Sequence, residues 1–227
     1  LWFMVAMPII VLFFQNYGLT LTQVMILQSI YSLSVALFEI PSGYIADVFG
    51  RKKSIIFSTI FSFIGYLVFS IYGGFYAFAI AQLLVGIGGS LISGSDSALI
   101  YDTLLESSQE ENYTKIEGKN YAIGNFSEAI AGILGGFLAV GSIHLPIYIQ
   151  TSIIFLSIPI AITLVEPKMN RERKLTKSYK TIISIVKITM TQHVKLKWLI
   201  IYSSAMGVAT LSMAWFAQPF FSQVGCL

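Results

Sequence analysis

Apolar residues fill long blocks of this chain, and short polar stretches separate them. The blocks cover residues 1–14, 20–46, 54–72, 75–105, 119–140, 145–165 and 198–221. Crossing a bilayer as a helix takes about 20 mainly apolar residues, and every block after the first is long enough. The pattern predicts an all-α integral membrane protein with seven transmembrane helices. The first block is already apolar at Leu1, so it reads as the outer part of a helix whose start is missing, kinked at Pro8. The fourth block is glycine-rich (Gly86, Gly88, Gly89, Gly94). The fifth carries Gly132 and Gly136 in a small-xxx-small arrangement that suits close helix packing.

Composition agrees with that reading. Of 227 residues, 56% are hydrophobic and 11% charged, with a mean hydropathy of +0.76; an ordinary soluble domain carries about 25% charged residues. The bases fall in three places only: residues 51–53, positions 115 and 119, and nine between 168 and 197. The connections at 15–20, 72–75 and 141–146 carry no Lys or Arg. The basic connections therefore alternate with uncharged ones and share one side of the membrane. By the positive-inside rule that side is the cytoplasm, which predicts a multi-pass protein of the cell (inner or plasma) membrane.

Where the bases lie also argues against nucleic acid as a partner, despite a pI near 8.9. One cysteine, Cys226, excludes an internal disulfide framework. His144 and His193 sit in different loops without a metal-ligand cluster. No cofactor, metal site or enzymatic centre is expected.

Residues 166–197 form a basic connection in which Tyr179, Ile182, Ile183, Val186 and Met190 recur at helical spacing opposite Lys180 and Lys187. This suits an amphipathic helix on the inner membrane surface. The expected organisation is a six-helix bundle over 1–165, this linker over 166–197, and the opening helix of a second bundle over 198–227, with Trp198 at the interface.

Between the second and third blocks lies a knot of charge: Gly43, Asp47, Gly50, Arg51, Lys52 and Lys53. The two glycines suit close approach and a sharp turn. Asp47 can accept hydrogen bonds from Arg51 or from a helix N-terminus. The spacing (Gly, three residues, Asp, two residues, Gly, Arg, Lys) resembles the signature loop between the second and third helices of the major facilitator superfamily, with Val48 departing from the base many members carry there. The resemblance covers essentially the whole chain. It implies an MFS-type bundle, here the N-terminal half plus a seventh helix of an expected twelve-helix protein, whose two halves rock about a central site. It further implies a gate built on Gly43, Asp47, Gly50, Arg51 and Lys52, with Asp102 pairing Arg51.

The phrases Phe38-Glu39-Ile40-Pro41-Ser42-Gly43 and Gly94-Ser95-Asp96-Ser97-Ala98 are similar to a bacterial drug-exporter-like branch. Two features depart from drug–proton antiporters: Gln82 stands where they carry Arg, and Ala131-Gly132 where they carry Gly-Pro.

Three acids lie inside apolar blocks and away from their ends: Glu39, Asp96 and Glu128. At ~1.5 Å per residue they sit about 12, 9 and 14 Å from the charged surface. An intramembrane carboxylate costs roughly 2.5–3.5 kcal/mol on insertion scales and marks a candidate proton or substrate site. The structural alternative is that these acids bond hydroxyls such as Ser34 or Ser127 and lock packing. The expected activity is secondary active transport of a small solute by alternating access, foremost proton-coupled efflux of amphiphilic or drug-like compounds. A nutrient or metabolite importer or facilitator is the alternative within the superfamily, and a non-transporting receptor or scaffold the alternative outside it. The expected partners are a small-molecule substrate, protons and the lipid bilayer.

Overall fold

The computed structural model describes residues 3–167 and 194–223. The chain divides into two compact units, one ending at Met169 and the other starting at Asn170. The first unit holds α1 (Ile10–Asn16), α2 (Leu21–Phe49), α3 (Arg51–Ile71), α4 (Phe75–Ile92), α5 (Ser95–Glu106), α6 (Tyr113–Gly141) and α7 (Leu145–Thr163). Among the described residues, five stretches are long and apolar enough to cross a membrane: α2, α3, α4 with α5, α6 with the turn before it, and α7. In the second unit the expected seventh span falls within α8 (Val194–Gln223), a helix of 30 residues. The amphipathic helix expected over 179–190 lies outside the described residues.

The opening segment differs from one kinked helix. A 3-10 turn at Met7–Ile9 carries Pro8 in its first positions, and the α-helix begins only at Ile10. Proline has no N–H to give to a helix ladder. The non-helical stretch before it is held from outside: the Val5 N–H donates to Gln150 Oε1 of α7 at 2.7 Å, in a buried position.

α2 starts at a capping box, where Thr20 and Gln23 exchange side-chain and backbone hydrogen bonds. It runs through Pro41 and on to Phe49, past the end expected near residue 46. The fourth span is two helices rather than one. α4 stops at Ile92, and Gly94 takes φ +71°, a left-handed conformation that costs an L-residue dear and a glycine little. The fifth span begins at Tyr113, well before Lys119, so the second half of the polar stretch between the fourth and fifth blocks is helical.

Packing follows membrane rules. α3 lies along α4 and α7, and α2 along α4. At the α3–α4 seam, Ser54 Oγ donates to the Leu91 carbonyl and Ser58 Oγ to the Gly88 carbonyl, both at 2.6 Å. A Cβ on Gly88 would strike the Ser62 hydroxyl, and one on Gly86 would lie 2.6 Å from Ser34 Cβ. Small residues and interhelical hydroxyl bonds replace the hydrophobic drive that lipid removes. In α6 the tight glycine is Gly135, whose Cβ would run into the Val5 carbonyl. Gly132 and Gly136, singled out by spacing, have at most one distant neighbour. Phe13, Phe14, Phe69 and Phe78 form a fully or nearly fully buried aromatic core at the end of the bundle away from Arg51–Lys53.

Candidate functional site

The charged turn is almost entirely helical. Only Gly50 separates α2 from α3, serving as C-cap of one and N-cap of the other at φ +105°, ψ 152°. That region is open essentially to glycine alone. Gly43, by contrast, sits inside α2, and a Cβ there would meet nothing within 4 Å. The expectation that both glycines shape the turn is corrected: Gly50 makes it, because the apolar run to Phe49 carries the helix past Gly43.

Three bases now occupy the first turn of α3, where the helix dipole disfavours cations. Glu166, just beyond α7, answers them. Its Oε1 accepts from the Arg51 N–H at 2.8 Å and its Oε2 from the Lys52 N–H at 2.7 Å. One carboxylate thereby satisfies two of the free N–H groups at a helix start. A Cβ on Gly50 would stand 2.7 Å from Glu166 Oε1, so the glycine is needed twice, for its backbone and for this space.

The Arg51 side chain reaches two further elements. Its Nη2 bonds Asp47 Oδ1 of α2 at 2.8 Å, and its Nε faces Asp102 Oδ2 of α5 at 3.6 Å. The second distance is too long for a hydrogen bond, and both of those atoms are buried without a hydrogen-bond partner. Asp102 and Arg51 are thus charge-paired but not bonded. Side chains here are only about a fifth exposed (17–22%), so water screens the ion pairs less than at an open surface. Through its main chain and its guanidinium, Arg51 ties together α2, α3, α5 and the end of α7. The Lys52 ammonium makes no ion pair among the described residues.

The three intramembrane acids are not joined to one another. Glu39 Oε1 accepts from Ser93 Oγ at 2.8 Å, so α2 holds the break in the fourth span. Asp96 lies in the first turn of α5, and its Oδ1 accepts from the Ser97 N–H at 2.8 Å; a carboxylate suits a helix start. Glu128, half-buried on α6, has no hydrogen-bond or ion-pair partner among the described residues. Ser34, named as one hydroxyl that could hold these acids, bonds the Ile30 carbonyl instead, and the hydroxyl on Glu39 is that of Ser93.

Two acids escape a reading from sequence. Glu117 lies on α6, accepts from Ser97 Oγ at 2.5 Å, and has its other oxygen buried without a partner. Glu166 is, in the sequence, no more than an acid at the start of a basic connection.

A family model described as Major Facilitator Superfamily matches residues 1–225. The chain belongs to the Major Facilitator Superfamily. Among superfamily relatives, an uncharacterised MFS-type transporter of Bacillus subtilis (strain 168), YxaM, is 26% identical over 225 residues, covering 96% of this chain and 55% of that protein. An uncharacterised transporter of Buchnera aphidicola subsp. Schizaphis graminum is 32% identical over 94 residues, 41% of this chain and 23% of its own. The chain thus spans about half the length of the first of these relatives and less of the second. Among solved structures, a peptide transporter, POT, in complex with sulfate matches at TM-score 0.55 and 16% identity, over 85% of this chain and 44% of that one. At that identity the likeness speaks for the superfamily fold alone. The integral-membrane, all-helical MFS architecture expected from the sequence is thereby established.

Proposed function

We propose that this chain is the first half, with the seventh span, of a secondary active transporter that moves a small solute by alternating access. The observation that carries the reading is the Arg51 node. One residue is tied to α2, α3, α5 and the foot of α7, and the Asp102 contact stands just beyond hydrogen-bonding range. Such a node holds one arrangement of helices, and small sliding motions break it. Gly43 and Lys52 complete the signature around it. The basic turn is read as cytoplasmic, in the inner or plasma membrane.

Proton-coupled efflux of amphiphilic or drug-like compounds is the kind of transport we infer. Glu39, Asp96 and Glu128 are the coupling candidates, because carboxylates at that depth are expensive unless used. One observation favours a second reading, an importer or facilitator: Gln82, where antiporters place an Arg, is buried and uncharged.

The test is uptake and efflux of a compound panel in proteoliposomes of the full-length protein, with and without an imposed pH gradient. Efflux that follows the gradient supports the reading. Gradient-independent equilibration supports a facilitator, and no flux for any compound supports a scaffold. Asp96→Asn keeps an acceptor for Ser97 and loses the charge. It should abolish gradient-driven flux while leaving exchange; unchanged gradient-driven flux would assign coupling to Glu39 or Glu128 and leave Asp96 a packing residue.

A further inference from the structure

At the end of the bundle that carries Arg51–Lys53, α2, α3 and α4 enclose a groove of about 530 Å³, lined by Ile45, Phe49, Lys53, Phe57, Phe61 and Leu91. Lys53, Phe57 and Phe61 follow one another at i, i+4 and i+8, so one face of α3 forms a wall roughly 12 Å long. Ile45 and Phe49 repeat the i, i+4 spacing on α2, and the buried Leu91 forms the floor. Five of the six residues are apolar; the sixth is a cation at the mouth.

Lys53 stands apart from the Arg51 node. Arg51 is taken by Asp47 and Asp102, and Glu166 is held by main-chain N–H groups, while the exposed Lys53 ammonium has no ion-pair partner among the described residues. Phe49 and Phe57, which flank it, are about half exposed, at 56% and 44%.

We propose that the groove binds an anionic phospholipid, one acyl chain lying along Phe57 and Phe61 and the headgroup phosphate on Lys53. In a membrane protein an apolar groove at this depth meets lipid tails. Tails are as apolar as the groove, so their burial selects no lipid over another. Selectivity has to come from the charge at the mouth, and an unpaired ammonium at headgroup level selects an anion. A single Lys near the surface corresponds to about a fivefold preference for an anionic over a zwitterionic headgroup. The apolar wall fixes where that lipid sits.

The test uses the full-length transporter with its native tryptophans, Trp2, Trp198 and Trp215 among them, replaced by Phe and with Phe57→Trp as the single indole, reconstituted with brominated-chain lipids that quench it on contact. Brominated phosphatidylglycerol should quench about fivefold more effectively than brominated phosphatidylcholine, and added salt should shrink the difference. Lys53→Gln should bring the two lipids level, and Lys53→Arg should keep the preference. Lys115→Gln, at another exposed base, should leave it unchanged. Equal quenching by both lipids, or a preference that survives Lys53→Gln, overturns the proposal. So does the absence of quenching by either lipid, which would mean that another part of the protein covers the groove.

Discussion

The Ser93 hydroxyl donates to the Glu39 carboxylate across 2.8 Å, at the point where the fourth span breaks between α4 and α5. The break is made by Gly94, and Glu39 fastens it to α2. A break in a membrane helix is held by what packs against it, and a carboxylate bonded to the Ser93 hydroxyl moves with the break. Ser93→Ala should therefore loosen the break without removing charge, and Glu39→Gln should remove charge while keeping an acceptor. If Glu39 couples protons, gradient-driven flux falls at least tenfold in Glu39→Gln and little in Ser93→Ala. Equal losses in both would assign Glu39 to the hinge alone.

Glu166 makes a prediction about stability. Its two bonds to the start of α3 are N-cap bonds supplied from far along the chain, and loss of such a cap costs about 1 kcal/mol. Glu166→Ala should lower the thermal midpoint of the purified protein. Glu166→Gln, which retains an acceptor oxygen, should fall between alanine and wild type. A midpoint unchanged in Glu166→Ala would mean that water caps α3 as well as the carboxylate does.

The two glycines of the charged turn should part company. Gly50→Ala meets a backbone conformation costing about 1–3 kcal/mol for an L-residue, together with the Glu166 carboxylate 2.7 Å from the new Cβ. Gly43→Ala meets open space within a helix, where alanine is the better helix former. Membrane abundance should collapse for the first and hold for the second. Equal abundance of the two would contradict the geometry.

How much of this was legible follows from the range of each signal. Apolar block length places α2, α3, α6 and α7 to within several residues, because a bilayer demands that length whatever the neighbours are. The Asp47–Arg51 contact is also local, one helical turn, and spacing suggests it. The break at Ser93–Gly94 is not local. Gly86, Gly88, Gly89 and Gly94 look alike in the sequence, yet two pack against helices and one leaves the helix, according to what lies opposite. Gly135 shows the same thing, tight only because the non-helical Val5 carbonyl arrives there. Glu166 is 115 residues from Arg51, and no periodicity reaches that far.

Sidedness is checked with two single cysteines in a cysteine-free background. Ser142 follows α6 at the end of the bundle far from Arg51, and Ser108 lies in the exposed turn after α5. The alternation of basic and uncharged connections puts Ser142 outside and Ser108 in the cytoplasm. An impermeant maleimide should label the first in intact cells and the second only after lysis. Labelling of both in intact cells would overturn the topology.

The last prediction concerns the uneven triad of Asp47, Arg51 and Asp102. Removing Asp102 leaves Arg51 still bonded to Asp47, whereas removing Arg51 takes from Asp47 its 2.8 Å bond and from the largely buried Asp102 the cation it faces. Asp102→Asn should therefore be mild and Arg51→Gln severe in both thermal stability and transport rate. Adding Asp102→Asn to Arg51→Gln should restore part of the loss, since the buried charge that faced Arg51 disappears with it. The expected coupling is about 1 kcal/mol, within the range for residues in one ion network. The cycle is read from the midpoints of the two single variants, the double variant and wild type. Losses that simply add would show that the 3.6 Å separation carries no interaction, and that Arg51 acts through Asp47 alone.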